Sequence, residues 1–227
     1  MKEKLKIVMI SDTHTKHRQV ELPKGDVLFH TGDFSNDGHI LEIAEFNNWL
    51  GENKHKYKYG IVVIPGNHEL TMCSSKRVYN PATWSMLSNA TLLHNSSVEI
   101  GGWKIYGSAS TKYFYDWAFN VLPRHLDEEW GKIPSDTDIL LTHGQPLDIN
   151  DQVRPNGEHL GDIHLKARIN DTPSIKLYCG GHLHGGYNLK KYKDVTYVNA
   201  SICNEAYKPV NKPIVVTLSP EGTVLPH

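Results

Sequence analysis

Five times in this chain a short apolar, β-branched run stops abruptly at a side chain able to hold a cation or a proton. Leu5–Ile10 stops at Ser11-Asp12-Thr13-His14, and Val27–His30 stops at Thr31-Gly32-Asp33. Ile61–Ile64 stops at Pro65-Gly66-Asn67-His68, Ile139–Leu141 at Thr142-His143-Gly144, and Leu177–Cys179 at Gly180-Gly181-His182-Leu183-His184. Runs of this length, closed by Gly or Pro, predict buried strands. Helical patterns fall between them over Ile40–Leu50, with Gly51 as a stop, and over Pro81–Leu87, Pro123–Trp130 and Ile163–Ile169, the last capped by Asp162. Further strands are expected at Leu92–Leu93, Val98–Ile100, Lys104–Tyr106, Gly186–Lys191, Thr196–Asn199 and Pro213–Leu218, with Gly101-Gly102 turning a hairpin. The fold class is α/β, with enough strands for two packed sheets and helices outside.

In open α/β sheets the ligand site lies beyond the carboxyl ends of the strands. Here those ends carry Asp12, His14, Asp33, Asn67, His143, His182 and His184. Carboxylate oxygen, imidazole nitrogen and one amide oxygen form a mixed set suited to divalent transition metals and not to a soft thiolate site. Seven ligands are too many for one ion and suit two, provided one carboxylate bridges. Each segment alone has an ordinary reading as a cap, a turn or a strand exit. The joint occurrence at five strand ends does not. In Gly181-His182-Leu183-His184-Gly185, an extended backbone would send both imidazoles to one side, and the glycines would let the backbone approach a ligand.

The rest of the composition excludes more than it proposes. Among 227 residues, 24 Lys and Arg balance 25 Asp and Glu, so no broad basic face draws a nucleic-acid polymer or an anionic membrane. Cys73, Cys179 and Cys203 form no Cys-x-x-Cys pair, which excludes a zinc ribbon and predicts reduced, buried thiols and a cytoplasmic location. The first apolar run ends too soon for a secretion signal, and no stretch approaches the ~20 apolar residues of a membrane span. With no repeat or linker, one domain over residues 1–227 is expected; its oligomeric state is open.

The ordered set Asp12-x-His14, Gly32-Asp33, Gly66-Asn67-His68-Glu69, Thr142-His143-Gly144 and Gly181-His182-Leu183-His184 resembles the calcineurin-like metallophosphoesterase superfamily. Asn199-Ala200-Ser201-Ile202-Cys203-Asn204, Tyr207-x-Pro209-x-Asn211-x-Pro213 and Phe46-Asn47-Asn48-Trp49-Leu50-Gly51 are similar to its metallophosphoesterase-domain branch, akin to the class III phosphodiesterases. The resemblance implies a four-layer αββα sandwich of two mixed sheets flanked by helices. It implies two divalent metal ions, with manganese favoured and iron, zinc, magnesium, cobalt or nickel chemically suited. Asp12, His14, Asp33 and His184 would hold one, and Asp33, Asn67, His143 and His182 the other, with Asp33 bridging. His68 would sit over the scissile phosphate, and Asn67 would also touch it. Asp33 is followed by Phe34-Ser35-Asn36-Asp37, without the Arg that phosphoprotein phosphatases of the superfamily place nearby.

The expected activity is therefore hydrolysis of small phosphodiesters, cyclic or linear nucleotides among them, by in-line attack of a metal-bound hydroxide. The catalytic group comprises His68, Asp33 and Asn67. The alternatives are a phosphomonoesterase, a nuclease and a metal-free scaffold; the complete ligand set speaks against the last. His17, His39, Arg77 and Tyr187 are secondary candidates for substrate contact, as are Arg124 and Arg154. The polar loop Gly144–Leu160 is placed to cover the site.

Overall fold

The computed structural model describes residues 1–73, 78–153 and 157–227. Arg77 and Arg154 therefore lie outside the described residues. Sixteen strands are assigned: β1 Leu5–Ile10, β2 Val27–His30, β3 Ile61–Val63, β4 Thr91–Leu92, β5 Ser96–Ile100, β6 Trp103–Ser108, β7 Thr111–Lys112 and β8 Asn120–Val121 in the first part. The second part holds β9 Ile139–Thr142, β10 Gln152–Val153, β11 Glu158–His159, β12 Leu177–Gly180, β13 Asn188–Tyr192, β14 Val195–Asn199, β15 Ile214–Leu218 and β16 Val224–Pro226. The helices are α1 Ile40–Asn53, α2 Pro81–Ser85, α3 Leu126–Gly131 and α4 Ile163–Asn170.

Two six-stranded sheets run in the orders β16-β15-β1-β2-β3-β4 and β13-β14-β12-β9-β6-β5. Both are mixed. In the first, β1 is parallel to β2 and antiparallel to β15. In the second, β6, β9, β12 and β14 run parallel, and β5 and β13 are antiparallel edges.

Period-two alternation builds three cores. In β1, Leu5, Ile7 and Met9 face the second sheet with Phe29, Ile105, Leu141 and Leu177, while Val8 and Ile10 face α1 with Ile43, Phe46 and Leu50. The outer face of the second sheet packs Tyr106, Leu140 and Tyr178 on Leu126 and Trp130 of α3 and Leu165 and Ile169 of α4. Helix, sheet, sheet and helix form the four expected layers.

Local chemistry explains most boundaries. Asp162 caps α4 by accepting from His164 N and Leu165 N, and Asn80 caps α2 ahead of Pro81. Gly101 and Gly102 both have positive φ, as the β5–β6 hairpin requires. Gly51 departs from expectation. It lies inside α1, where a side chain would meet the Asn89 amide at 2.8 Å, so the glycine serves packing and not termination. The β7–β8 and β10–β11 pairs were not foreseen; at two residues each, they carry no readable period.

Candidate metal centre

The carboxyl ends of β1, β2 and β3 in one sheet meet those of β9 and β12 in the other. Asp12, His14, Asp33, Asn67 and His143 are all buried, and His182 and His184 are half-buried over them. The turns leaving these strands are strained. Asp12, His14, Asp33 and His182 have φ of 51°, 40°, 54° and 66°, in the left-handed region that L-residues avoid. Glycines supply the room. A Cβ on Gly181 would lie 2.1 Å from Asp12 Oδ2, and one on Gly66 would lie 2.3 Å from Asp33 Oδ1.

The ligand atoms converge in two clusters joined by a third. Asp12, His14 and His184 place one ligand atom each within 4.8 Å of one another, so do Asp33, His143 and His182, and His14, Asp33 and His68 connect the two. His184 Nε2 is 3.3 Å from both His14 Nε2 and Asp12 Oδ1. His143 Nε2 is 3.0 Å from Asn67 Oδ1 and 3.2 Å from Asp33 Oδ2. Asp33 Oδ2 stands 3.9 Å from His14 Nε2 and also from His68 Nε2, so this carboxylate lies between the clusters.

The far nitrogens are fixed by the backbone. Nδ1 of His14 donates to Ser35 O at 3.2 Å, that of His143 to Thr31 O at 2.7 Å, and that of His184 to Asn204 O at 2.9 Å. A carbonyl only accepts, so each Nδ1 carries a proton, and each Nε2, once it gives up any proton of its own, turns a lone pair inward. This is the arrangement that metal-ligating histidines use. The donor set thus fits a pair of divalent cations.

Electrostatics point the same way. Burial pushes His14 and His182 down to about 4, so they stay neutral. Burial would raise Asp12 and Asp33, but His184 and His143 respectively outweigh it and hold both carboxyls low and ionised. His143 rises to about 9; burial opposes the rise, and the Asp33 charge and hydrogen bond overcome it. Glu69 is buried behind Asp33 and pushed up to about 7, by burial first and the Asp33 charge second. Its carboxyl receives the N–H groups of Asp33 and Ser35 at 3.0 Å and of Gly66 at 2.5 Å, tying two ligand turns together.

His68 sits at the cavity side of this floor. Its Nδ1 is bonded to Asn36 O, and its ring lies 4.3 Å from that of Trp117. Above it opens a cavity of ≈ 440 Å³ that includes Phe114, Trp117 and Tyr207 in its wall. Gly144, Gln145, Val153 and Leu160 of the Gly144–Leu160 loop also line it, as expected for a covering segment.

Three secondary candidates lie elsewhere. His17 is buried against Phe46 and Trp49 and bonded to Glu45, because the short 3-10 turn His17–Gln19 packs it onto α1. His39 caps α1, accepting from Leu41 N. Tyr187 points to Lys212 O and lines a separate depression. His182 and His184 are not on an extended segment. The left-handed φ of His182 and a 3-10 turn from His184 send the two rings to different clusters. Among the tail residues singled out above, Ser201 and Asn204 reach Asp12 and His184, contacts that only the folded tail creates.

The calcineurin-like phosphoesterase family model matches residues 5–186. The chain is 38% identical over 94% of its length to human metallophosphoesterase domain-containing protein 1, covering 71% of that protein. It is 23% identical over 75% of its length to a 3′,5′-cyclic-nucleotide phosphodiesterase of Nostoc sp., covering 60% of that protein. Among solved structures, a dimetal phosphatase from Danio rerio superposes with a TM-score of 0.57 at 10% identity, covering 95% of this chain and 93% of that one, a likeness of fold. The chain belongs to the calcineurin-like phosphoesterase family, in the branch of the metallophosphoesterase domain-containing proteins.

Proposed function

We propose that this protein is a dinuclear-metal-dependent phosphodiesterase acting on small phosphodiesters. The observation that carries the metal reading is the set of three imidazoles whose Nδ1 atoms are anchored on Ser35, Thr31 and Asn204 and whose Nε2 atoms face Asp12 and Asp33. Asp12, His14 and His184 would hold one cation and Asn67, His143 and His182 the other, with Asp33 lying between the two sets. The mixed oxygen and nitrogen set favours manganese-type ions. When bound, such a pair supplies Lewis acidity and a water acidic enough to attack phosphorus at neutral pH.

The protein's own groups do the rest. Asp33 and Glu69 fix the turns that aim the ligands. His68, with Nδ1 held by Asn36 O, presents Nε2 to the cavity; as imidazolium it protonates the departing ester oxygen. Asn67 is positioned from two sides, by its Oδ1 beside His143 and by its carbonyl accepting from Ala118 N at 3.1 Å. Trp117 and Tyr207 limit water at this edge.

Preference for a diester over a monoester follows from charge. A monoester is close to dianionic at neutral pH and a diester monoanionic. Among the described residues lining the cavity, Lys112 is the one Lys or Arg. The similarity to the Nostoc cyclic-nucleotide phosphodiesterase supports the same preference. The single-unit reading of residues 1–227 is supported by the core shared between the sheets. Three buried cysteines, Cys73, Cys179 and Cys203, support a reducing, cytoplasmic setting. Among the described residues, no helix is long and apolar enough to cross a membrane.

Hydrolysis of bis-aryl and mono-aryl phosphates by manganese-loaded protein tests the proposal. Diesters should turn over faster; a strong monoester preference would overturn it.

A further inference from the structure

The cavity above the metal centre has a polar floor and a largely apolar wall. Its floor is the cluster of Asp33, Asn67, His68, His182 and His184. The rest of its lining includes residues of the segment Ser110–Trp117 and an apolar lobe of Phe114, Trp130, Leu160, Leu165 and Leu183. Phe114 stands beside the floor, its ring centre 6.2 Å from that of His182. Phe114 is 47% exposed and Leu160 37%, apolar surface left open beside the floor.

Several polar side chains of the lining are already engaged within the protein. Ser110 Oγ donates to Glu129 Oε1 at 2.5 Å, and Thr111 Oγ1 to Asn120 Oδ1 at 3.4 Å. Asp162 spends Oδ1 on the cap of α4 and accepts from Trp130 Nε1 on Oδ2 at 2.7 Å. Gln145 is the exception: its Nε2 donates to Gly181 O at 3.2 Å, but its buried Oε1 has no hydrogen-bond partner. The charged groups Lys112 and Glu205 are exposed residues of the outer rim. A sugar or polyol pushed into the lobe would lose water without gaining a full set of replacement hydrogen bonds. A hydrocarbon group would gain the burial of its own surface and that of Phe114 and Leu160.

We infer that one ester group of the substrate is an uncharged aryl or alkyl group, seated in the lobe formed by Phe114, Trp130, Leu160, Leu165 and Leu183 while the phosphate occupies the Asp33–His68 floor. This rests on the phosphodiesterase reading of that floor and narrows it. The lobe favours apolar ester groups over ribosyl and glyceryl ones by contact area.

Equilibrium binding tests the inference apart from turnover. Manganese-loaded protein is titrated with dimethyl, methyl phenyl, methyl hexyl and thymidine 5′-methyl phosphate, followed by tryptophan fluorescence and by calorimetry. All four carry one negative charge, so only the second ester group varies. The phenyl and hexyl esters should bind at least about tenfold tighter than the dimethyl ester, and tighter than the thymidine ester. A phenyl advantage over hexyl identifies ring recognition, and the reverse identifies an acyl-like chain; either supports the lobe. Phe114→Ser and Leu160→Ser, both at open positions, should shrink the phenyl-to-dimethyl ratio severalfold. Equal binding of all four, or tightest binding of the thymidine ester, overturns the inference. Selective binding without hydrolysis of any diester leaves the lobe standing and removes the phosphodiesterase reading instead.

Discussion

Ser201 Oγ donates to Asp12 Oδ2 at 2.8 Å across 189 residues of sequence, both groups fully buried. The hydroxyl also lies 2.8 Å from Asn199 Oδ1, but its one proton goes to the better acceptor, the ionised carboxylate. Asn199 in turn donates to Leu183 O at 2.8 Å and Asn150 O at 3.0 Å. The tail thus holds the first ligand strand and the His182–His184 turn in one network.

Ser201→Ala should therefore weaken the Asp12 half of the centre specifically. Loss of such an outer partner typically costs about 10–100-fold in metal affinity. Competition with a chelator should show one weakened ion and one unchanged, at unaltered circular dichroism. Equal weakening of both would place the effect in the fold and not at Asp12.

His68 has two geometric readings, since its Nε2 also falls within 4.8 Å of ligand atoms of His14 and Asp33. His68→Ala should keep both ions and lower turnover by about 10²–10⁴-fold, the usual contribution of a positioned acid. Metal analysis of the purified variant decides. A fall in metal content would make His68 a ligand.

Gly181→Ala places a methyl group 2.1 Å from both Asp12 Oδ2 and Ser11 Oγ. The backbone of Gly181 is itself pinned, its N–H donating to His143 O at 2.9 Å, so Asp12 must give way. Metal binding at the Asp12 cluster should fall at least about tenfold, with the sheets intact. Retention of wild-type affinity would show that Asp12 has freedom the structure does not grant it.

His30 offers a pH test removed from the ligands. It is fully buried; its Nδ1 accepts from Gly32 N at 3.3 Å, and its Nε2 meets Thr13 Oγ1 at 3.0 Å. That pairing suits only the neutral ring, and burial pushes its pKa down to about 3. The unfolded chain binds the proton first, near the ordinary value of 6.5, so stability falls as pH drops from 6.5 toward 3. His30→Gln should remove one proton from that dependence, about 1.4 kcal/mol per pH unit. Urea denaturation at several pH values reads it; identical slopes for the two proteins would contradict a neutral His30.

What could be read in advance follows from where physics is local. Asp12, Asp33, Asn67, His143 and the His182–His184 pair each follow a buried apolar run, and a strand's end is visible in its own residues. The apolar run Leu5–Ile10 foretold a buried strand, and both of its faces are covered. Long-range pairings were not visible. Ser201 and Glu69 gain their roles only when the tail and the Gly66–Glu69 turn fold onto Asp12 and Asp33. His17 and His39 misled because loop position says nothing of the direction a ring takes, and here α1 claims both. Gly51 misled because a glycine serves packing as readily as termination.

Metal stoichiometry of Asp33→Ala beside the wild type, by elemental analysis after manganese loading, tests the bridging carboxylate directly. Asp33 Oδ2 is within 3.9 Å of His14, His68 and His143, so its loss should strip both positions. Two ions per wild-type chain and fewer than one per variant chain is the predicted result. One ion per wild-type chain, or two retained without Asp33, would contradict a dinuclear centre built on this residue.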